Sequence, residues 1–364
     1  MLLTASAVLM LAKPNLHSIL ENVMSSHKLP ALGAAVILDG KIVAFDAIGV
    51  RKLGDPTKVQ PNDQFHIGSN TKAMTATLCA ILVERGKLKW NATLEQVFPD
   101  LAGAFNPAFR KVTLEQLLAN RGGFPTDIKP GGKDLWSMHS LKGSPSEQRL
   151  EFLRLIVKVK PAYTPGSEFV YSNANFSVAA SMAEKVMGES YESLMDNLIF
   201  KPLQITTAGF GPAGMPNKVD QPWQHTVEGS NITPIGPGIF SDNPVCITPA
   251  GRIHIAMEDW AKFAVASLIP GALLSKDSMT KLQSPVGGSE YAMGWMVLRR
   301  SWSGGPALYH NGSNNQNFSV AWLSPSKKFG VVIATNIAGE DAQAAADEVA
   351  STVVQSFLLG IARS

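Results

Sequence analysis

Two short apolar runs near the start of the chain predict a β-hairpin. The runs cover residues 34–38 and 42–48, and Asp39-Gly40 joins them. This dipeptide is typical of a two-residue hairpin turn because both of its positions readily adopt positive φ. A helical pattern precedes the hairpin, because after Pro14 the apolar residues share one helix face, namely Leu16, Ile19, Leu20 and Val23.

Four apolar runs near the end of the chain also predict strands. They span residues 291–298, 307–310, 317–323 and 330–335. In the third run, Phe318, Val320 and Trp322 alternate with small residues, which is typical of an antiparallel strand that buries one face. A last helical pattern follows over residues 341–359.

The middle of the chain, from Ser69 to about Leu282, has a mostly helical pattern with long loops. Its clearest helix begins near Ser69 and ends at Gly86, a residue type suited to the position just after a helix. Strands at both ends and helices between them predict an α+β fold. One antiparallel sheet would be built from the N- and C-terminal segments and flanked by terminal helices, with a mostly helical domain inserted. We place the sheet domain at 13–68 plus 283–364, and the inserted domain at 69–282.

The first twelve residues contain an uncharged apolar run, Leu2–Ala12. This run is far shorter than the ~20 residues that a membrane-spanning helix requires. It suits either an extension packed on the body or a remnant of a secretory signal, although no Lys or Arg precedes it. The first interpretation predicts a cytoplasmic protein and the second a periplasmic or secreted one, and both stay open.

Composition excludes several classes of protein. Of 364 residues, 45% are hydrophobic and 17% charged, so the chain can bury a large interior. The 31 glycines and 23 prolines are dispersed, which excludes collagen-like, coiled-coil and disordered chains. A net charge of +3 without a basic cluster makes nucleic acid an unexpected partner. Cys79 and Cys246 are too few for a disulfide scaffold or a cysteine-rich metal site, although one bridge stays open.

A Ser-x-x-Lys pattern occurs four times and therefore identifies nothing alone: the pairs are Ser25/Lys28, Ser69/Lys72, Ser278/Lys281 and Ser324/Lys327. Only the copy at Ser69 follows an apolar segment and opens a long helix. A serine there has its hydroxyl beside free N–H groups, and Lys72 lies on the same helix face within hydrogen-bonding reach. This arrangement suits a nucleophile with a neighbouring proton acceptor. The alternative is a capping serine followed by a surface lysine.

Two other polar clusters are weak alone. Tyr171 and Asn173 flank Ser172 in an extended segment before a predicted helix, so their side chains project the same way. His310-Asn-Gly312 ends a predicted strand, where glycine would let a substrate backbone approach the sheet edge.

Taken in chain order, these clusters resemble the three elements of the penicillin-recognising serine hydrolases: Ser69-x-x-Lys72, Tyr171-x-Asn173 and His310-Asn-Gly312. The chain looks like the serine β-lactamase and penicillin-binding protein superfamily. It is most similar to the branch of class C β-lactamases, D-alanyl-D-alanine carboxypeptidases, D-aminopeptidases and family VIII carboxylesterases. Flanking segments agree, including F-x-I-G-S-x-T-K at 65–72, P-A-G at 249–251 and Y-A-M-G-W at 291–295. The resemblance covers about residues 31–336 and implies the same fold that the pattern predicts.

The resemblance implies that Ser69 attacks a carbonyl to form an acyl-enzyme, which water then resolves. Lys72 would be the proton partner for acylation and Tyr171 the base for hydrolysis, with the lysine's ammonium stabilising a phenolate. The backbone N–H groups of Ser69 and Ser313 would form the oxyanion hole. The substrate-binding residues implied are Asn173, His310, Asn311, Gly312 and Ser313. We expect no metal and no other cofactor.

Two departures bear on the substrate. Classical β-lactamases begin the third element with a lysine whose cation holds the substrate carboxylate, whereas His310 is largely neutral at pH 7. The segment 117–123 reads L-L-A-N-R-G-G where many relatives carry L-L-T-H-T-S-G. We therefore expect a hydrolase of small esters, amides or β-lactams, with weak β-lactam turnover. The alternatives are a D-amino-acid peptidase or carboxypeptidase on cell-wall-type peptides, and a non-catalytic penicillin-binding-like peptide sensor.

Overall fold

The computed structural model describes residues 15–229 and 231–360. The apolar run Leu2–Ala12 lies outside the described residues. The α-helices are α1 (Leu16–Ser26), α2 (Thr71–Glu84), α3 (Leu94–Val97), α4 (Pro107–Arg110), α5 (Leu114–Leu118), α6 (Pro145–Ile156), α7 (Asn173–Met187), α8 (Tyr191–Met195), α9 (Thr248–Gly251), α10 (Met257–Leu268), α11 (Lys276–Leu282) and α12 (Glu340–Val353). The strands are β1 (Ala31–Leu38), β2 (Lys41–Gly49), β3 (Phe65–His66), β4 (Gly209–Phe210), β5 (Gln224–Glu228), β6 (Asn231–Ile235), β7 (Ile253–Ile255), β8 (Met296–Arg299), β9 (Pro306–Ser313), β10 (Phe318–Ser324) and β11 (Phe329–Thr335).

The largest sheet is assembled from both ends of the chain. Its six strands have the order β2-β1-β11-β10-β9-β8, so the N-terminal hairpin pairs with the C-terminal strands through β1 and β11. Asp39 and Gly40 both have positive φ, 51° and 74°, as the predicted two-residue turn requires. The predicted α+β fold is confirmed, with its antiparallel sheet, terminal helices and inserted, mostly helical part.

Alternation along β1 separates two hydrophobic cores. Leu32 and Val36 join a core under α1 and α12, whereas Ala35 and Ile37 join the larger core shared with the inserted segment. Successive side chains point to opposite faces of a strand, so a continuous apolar run can serve both cores. Helix α10 covers the second face by packing on β1, β2 and β11, although it belongs to the inserted segment. The predicted boundaries at 68/69 and 282/283 stay a prediction.

Strand β10 differs from the prediction that only one face is buried. Phe318 and Val320 face the core under α12, but Ser319 and Ala321 on the other face are buried as well. The Ser319 hydroxyl donates to the Ile67 carbonyl (2.7 Å) and accepts from the Asn70 side chain (2.8 Å). The small side chains on this face contact another segment of the chain and do not face solvent.

The middle segment also contains short strands that its helical pattern did not predict. Strands β4 and β7 form a three-stranded sheet with β3, which precedes Ser69, in the order β3-β7-β4, and β5 and β6 form a hairpin. The predicted strand over 291–298 is shorter in the structure, where β8 begins at Met296. Cys79 and Cys246 are both free and buried, so the bridge that the sequence left open does not form. None of the helices within the described residues has the length and apolar character needed to span a membrane.

Candidate active site

The turn that carries Ser69 connects β3 to α2. Gly68–Asn70 forms a single 3₁₀ turn, and α2 follows directly. Every residue from Thr71 to Leu82 is buried, so α2 is an interior helix rather than one with a single apolar stripe. Lys72 is fully buried in the first turn of this helix, whereas the copies of the pattern at other positions place their lysines at or near the surface. The alternative of a capping serine with a surface lysine is therefore wrong.

Three oxygens of the described residues lie within hydrogen-bonding distance of the Lys72 amine. Its Nζ lies 3.0 Å from Ser69 Oγ, 2.7 Å from Asn173 Oδ1 and 2.7 Å from the Ala250 carbonyl. Burial lowers the pKa of Lys72 well below its ordinary value. A neutral amine has two N–H donors, which the two acceptor-only oxygens engage, and one lone pair, which the Ser69 hydroxyl can approach as donor. The arrangement suits removal of the serine proton.

The Tyr171 ring packs against the same amine, with Lys72 Nζ 4.7 Å from the ring centroid. Burial raises the pKa of Tyr171 above its ordinary value, and a hydrogen bond with Ser69 lowers it by less. The direction opposes the expectation that a lysine ammonium holds Tyr171 as a phenolate. Because burial disfavours charge on both groups, the favoured pair is a neutral phenol beside a neutral amine.

Asn120 fixes the segment that carries Tyr171 and Asn173, and sequence reasoning did not identify this role. Its Oδ1 accepts from the Ser172 N–H (3.1 Å) and from the Asn175 side chain (3.1 Å), and its carbonyl accepts from the Val170 N–H (2.9 Å). Its φ of 55° lies in the left-handed region, which asparagine tolerates better than most residues. The departure noted at 117–123 was the signal, since it places asparagine at this position.

Strand β9 presents its predicted residues on two opposite faces. His310 and Gly312 pair with Ala321 and Ser319, on the face of the sheet that contacts the Ser69 turn. Asn311 pairs with Val320, on the face toward α12, and its side chain is exposed. The Asn311 side chain therefore points away from the face that contacts the Ser69 turn, because neighbouring strand residues point to opposite sides. The expected role of Asn311 in substrate binding stays a prediction.

Two glycines let this strand and the Ser69 turn touch. A Cβ added to Gly68, whose φ is 50°, would lie 2.4 Å from the Ser313 nitrogen. A Cβ added to Gly312 would lie 2.6 Å from the Ser69 nitrogen and 2.1 Å from the Ile67 carbonyl oxygen. Since real Cβ atoms do not approach so closely, both positions require glycine. The two backbone N–H groups expected to form the oxyanion hole lie on these contacting segments.

The family follows from a comparison with known proteins. The Beta-lactamase family matches residues 16–354. The chain belongs to the Beta-lactamase family. Among curated proteins, it is 24% identical over 335 residues to Protein flp of Staphylococcus aureus (strain COL), covering 90% of this chain and 64% of that protein. It is 29% identical over 278 residues to PbpX of Bacillus subtilis (strain 168), covering 74% and 63%. The chain thus spans slightly less than two thirds of the length of these relatives.

Solved structures of Beta-lactamase-like fold agree with this membership. The octameric penicillin-binding protein homologue from Pyrococcus abyssi has a TM-score of 0.76 and 23% identity, covering 95% of this chain and 77% of that one. EstCE1, a hydrolase with promiscuous acyltransferase activity, has a TM-score of 0.77 and 17% identity, covering 93% and 98%. At these identities the likeness shows the fold alone.

His310 lies at the edge of this Beta-lactamase-family site with its ring buried. Its Nε2 is 3.3 Å from the Tyr291 hydroxyl, and its Nδ1 is 2.6 Å from the Asn311 carbonyl oxygen. Burial lowers the pKa of His310 to about 3, and a positive charge on Lys72 would act in the same direction. Tyr291 was noted only as part of a flanking segment, yet its ring also packs near Tyr171. His310 is a neutral polar group in this site.

We expect the KM for nitrocefin, a β-lactam with a carboxylate, to stay flat between about pH 5 and 8. The folded pKa of His310 lies far below this window, so the ring carries no charge to lose as pH rises. Steady-state kinetics at closely spaced pH values measure this, with an uncharged p-nitrophenyl ester as the control substrate. A KM that rises for nitrocefin alone, with a midpoint near the ordinary histidine pKa, would show that His310 grips the carboxylate as a cation.

Proposed function

We propose that this protein is a serine hydrolase that forms an acyl-enzyme at Ser69 with a small ester, amide or β-lactam. The observation that carries the proposal is the fully buried Lys72 amine, 3.0 Å from Ser69 Oγ. Asn173 and Ala250 occupy its two remaining hydrogen-bonding positions with oxygens that only accept. Among the described residues no carboxylate pairs with Lys72. A buried lysine in this position is costly to keep charged, which suits a group whose task is to accept a proton.

In the acylation half, the Ser69 oxygen attacks the substrate carbonyl carbon while its proton passes to the Lys72 amine. The negative charge that develops on the carbonyl oxygen is stabilised by the N–H groups of Ser69 and Ser313. Such a donor typically contributes about 3 kcal/mol to transition-state stability. The bond to the leaving group then breaks, the leaving group takes the proton from Lys72, and the amine is neutral again.

In the hydrolytic half, a water molecule attacks the acyl carbon and gives a proton to the Tyr171 oxygen. For this step the Tyr171 hydroxyl, which hydrogen-bonds with Ser69 in the resting site, turns toward Lys72 Nζ. The phenol proton then passes to the Lys72 amine as the water proton arrives, so no isolated phenolate forms. This relay accords with the burial that raises the pKa of Tyr171. When the acyl bond to Ser69 breaks, the serine oxygen recovers a proton from Lys72 and the site returns to its starting state.

Because His310 is neutral, the segment His310-Asn-Gly312 favours substrates that carry no carboxylate beside it. His310 is buried and uncharged near neutral pH, and both of its ring nitrogens have partners within the protein, so it offers no cation to the substrate. A neutral ester or amide loses nothing from this, whereas a β-lactam loses the ion pair that a lysine would give. We therefore propose esters as the better substrates and β-lactams as slow ones.

Intact-mass spectrometry of the quenched protein tests the proposal. The panel contains short p-nitrophenyl esters, nitrocefin and a D-alanyl-D-alanine peptide, with a fluorophosphonate as an irreversible probe. We expect an acyl adduct on the peptide that contains Ser69, formed fastest with the esters. Fastest acylation by the D-peptide would favour the peptidase alternative. The absence of any adduct from every compound, including the fluorophosphonate, would favour the non-catalytic sensor and contradict the proposal.

A further inference from the structure

A buried carboxylate outside the three family elements makes hydrogen bonds to several segments that form the site. Asp242 lies in the loop between β6 and β7, and its side chain is fully buried. Its Oδ2 is 3.0 Å from His66 Nε2 and 3.3 Å from Arg252 Nε. Its Oδ1 accepts from the Asn243 N–H (2.8 Å) and from the Asn314 side chain (3.3 Å). The proposed reaction uses none of these side chains.

The first connection leads to the nucleophile. Because a carboxylate only accepts, His66 must carry its hydrogen on Nε2, which leaves Nδ1 as an acceptor. That nitrogen accepts from the Gly68 N–H at 3.2 Å. Gly68 has a φ of 50° and directly precedes Ser69. Asp242 therefore fixes the histidine tautomer that holds the turn carrying the nucleophile.

The second connection leads to the carbonyl that binds Lys72. Arg252 donates from Nη1 to Thr248 Oγ1 (3.1 Å), at the start of α9. Its bond to Asp242 anchors the guanidinium on the other side. Ala250 lies within α9, and its carbonyl accepts from the Lys72 amine at 2.7 Å. The position of that carbonyl thus depends in part on the Arg252–Asp242 pair.

The third connection leads to the end of β9. Asn314 directly follows Ser313 and donates from Nδ2 to Asp242 and to Gln224 Oε1 (2.6 Å). The Oδ1 of Asn314 accepts from the N–H groups of Gln316 and Asn317 at 3.2 and 2.9 Å. The loop after β9 is therefore tied to the same carboxylate, next to the Ser313 N–H.

We infer that Asp242 is a positioning residue for acyl transfer, whose single carboxylate sets the Ser69 turn, the Ala250 carbonyl and the Ser313 N–H relative to one another. The inference rests on the proposed function. Asp242 does not touch the substrate, so it contributes to geometry and not to binding. Oxyanion donors act within narrow distance limits, and a misplacement of about 1 Å can cost about 100-fold in rate.

The Asp242→Asn variant removes the charge and keeps the shape. Its amide group has one oxygen, so its NH₂ must face the donors of either His66 and Arg252 or Asn243 and Asn314. At least one connection is lost in either orientation. We expect kcat for a short p-nitrophenyl ester, and the single-turnover rate of Ser69 acylation, to fall about 30- to 100-fold while KM changes less than about threefold.

Asp259→Asn is the matched control. Asp259 is also a buried carboxylate with several donors, since it accepts from the Thr206 and Thr207 N–H groups and pairs with Lys262. None of these groups belongs to the site, so its loss affects stability alone. Rates are compared at a temperature at which circular dichroism shows both variants folded. Equal rates for wild type and Asp242→Asn, or equal losses in both variants, would overturn the inference.

A second variant keeps the test decisive if Asp242→Asn does not fold. Asn314→Asp is isosteric and still accepts from the Gln316 and Asn317 N–H groups. However, a carboxylate oxygen replaces the NH₂ group that donates to Asp242. We expect about a tenfold lower kcat with little change in KM. An unchanged kcat would overturn the inference. Failure of the proposed function gives a different result, because the wild-type protein would then form no acyl-enzyme.

Discussion

Replacing Ser69 with alanine is expected to reduce ester turnover at least about 10⁴-fold, because the oxygen that forms the acyl bond is removed. The remaining site keeps the Lys72 contacts to Asn173 and to the Ala250 carbonyl. The free energy of unfolding should therefore change by less than about 1.5 kcal/mol, the usual range for one hydrogen bond. Measurements of kcat/KM on a p-nitrophenyl ester, together with urea unfolding, check both expectations.

The chain itself offers a control for this variant. Ser25 belongs to another Ser-x-x-Lys copy, but it is exposed at the end of α1 and donates only to the Asn22 carbonyl. Ser25→Ala should therefore retain wild-type turnover. A folded Ser69→Ala protein with wild-type activity would show that the nucleophile is assigned to the wrong residue.

Replacing Arg149 with methionine is expected to destabilise the protein by about 3–5 kcal/mol. Arg149 on α6 is fully buried and donates to Glu184 on α7 (2.6 and 3.1 Å) and to Glu192 on α8 (2.7 and 2.8 Å). Removing the guanidinium leaves two largely buried carboxylates facing each other without a cation. The midpoint of urea unfolding, at an unchanged slope, measures the loss.

Arg154→Met is the matched control on the same helix. Arg154 is 45% exposed and lies 3.4 Å from Glu151, one helical turn away. Exposed pairs of this kind contribute about 0.5 kcal/mol, so the control should be nearly neutral. A loss of less than about 1 kcal/mol in Arg149→Met would mean that the ion cluster does not hold α6, α7 and α8 together.

Local patterns predicted most of the fold. The Asp39-Gly40 turn, the amphipathic α1 and the strands β9 to β11 follow from periodicities and turn residues that act over a few positions. The short strands β4 and β7 were missed, because strands of two or three residues have no period to detect. The buried second face of β10 was missed for another reason. Small residues such as Ser319 are interpreted as solvent-facing until the segment that covers them is known.

The residues of the candidate site also fall into two groups, those that local patterns indicate and those that only the tertiary structure identifies. Ser69, Lys72, Tyr171 and Asn173 could be selected from the sequence, because local context and order along the chain distinguish them from the other copies of the same weak patterns. The motif does not say which strand residues face the site, and the structure turns the Asn311 side chain to the opposite face. Asn120, Tyr291 and Asp242 act through contacts with distant segments. The sequence marks Asn120 by the departure at 117–123 and Tyr291 by a flanking segment, but it does not reveal those contacts.

The sequence by itself determined which elements form and which residue types with acyl-transfer chemistry precede or follow them, because these depend on near neighbours along the chain. Only the tertiary structure decided that Lys72 is buried, which lowers its pKa, that burial raises the pKa of Tyr171, and that burial lowers the pKa of His310 to about 3. Protonation depends on desolvation and on charges from segments a hundred or more residues away. Those distances exist only after the helical segment has folded against the sheet.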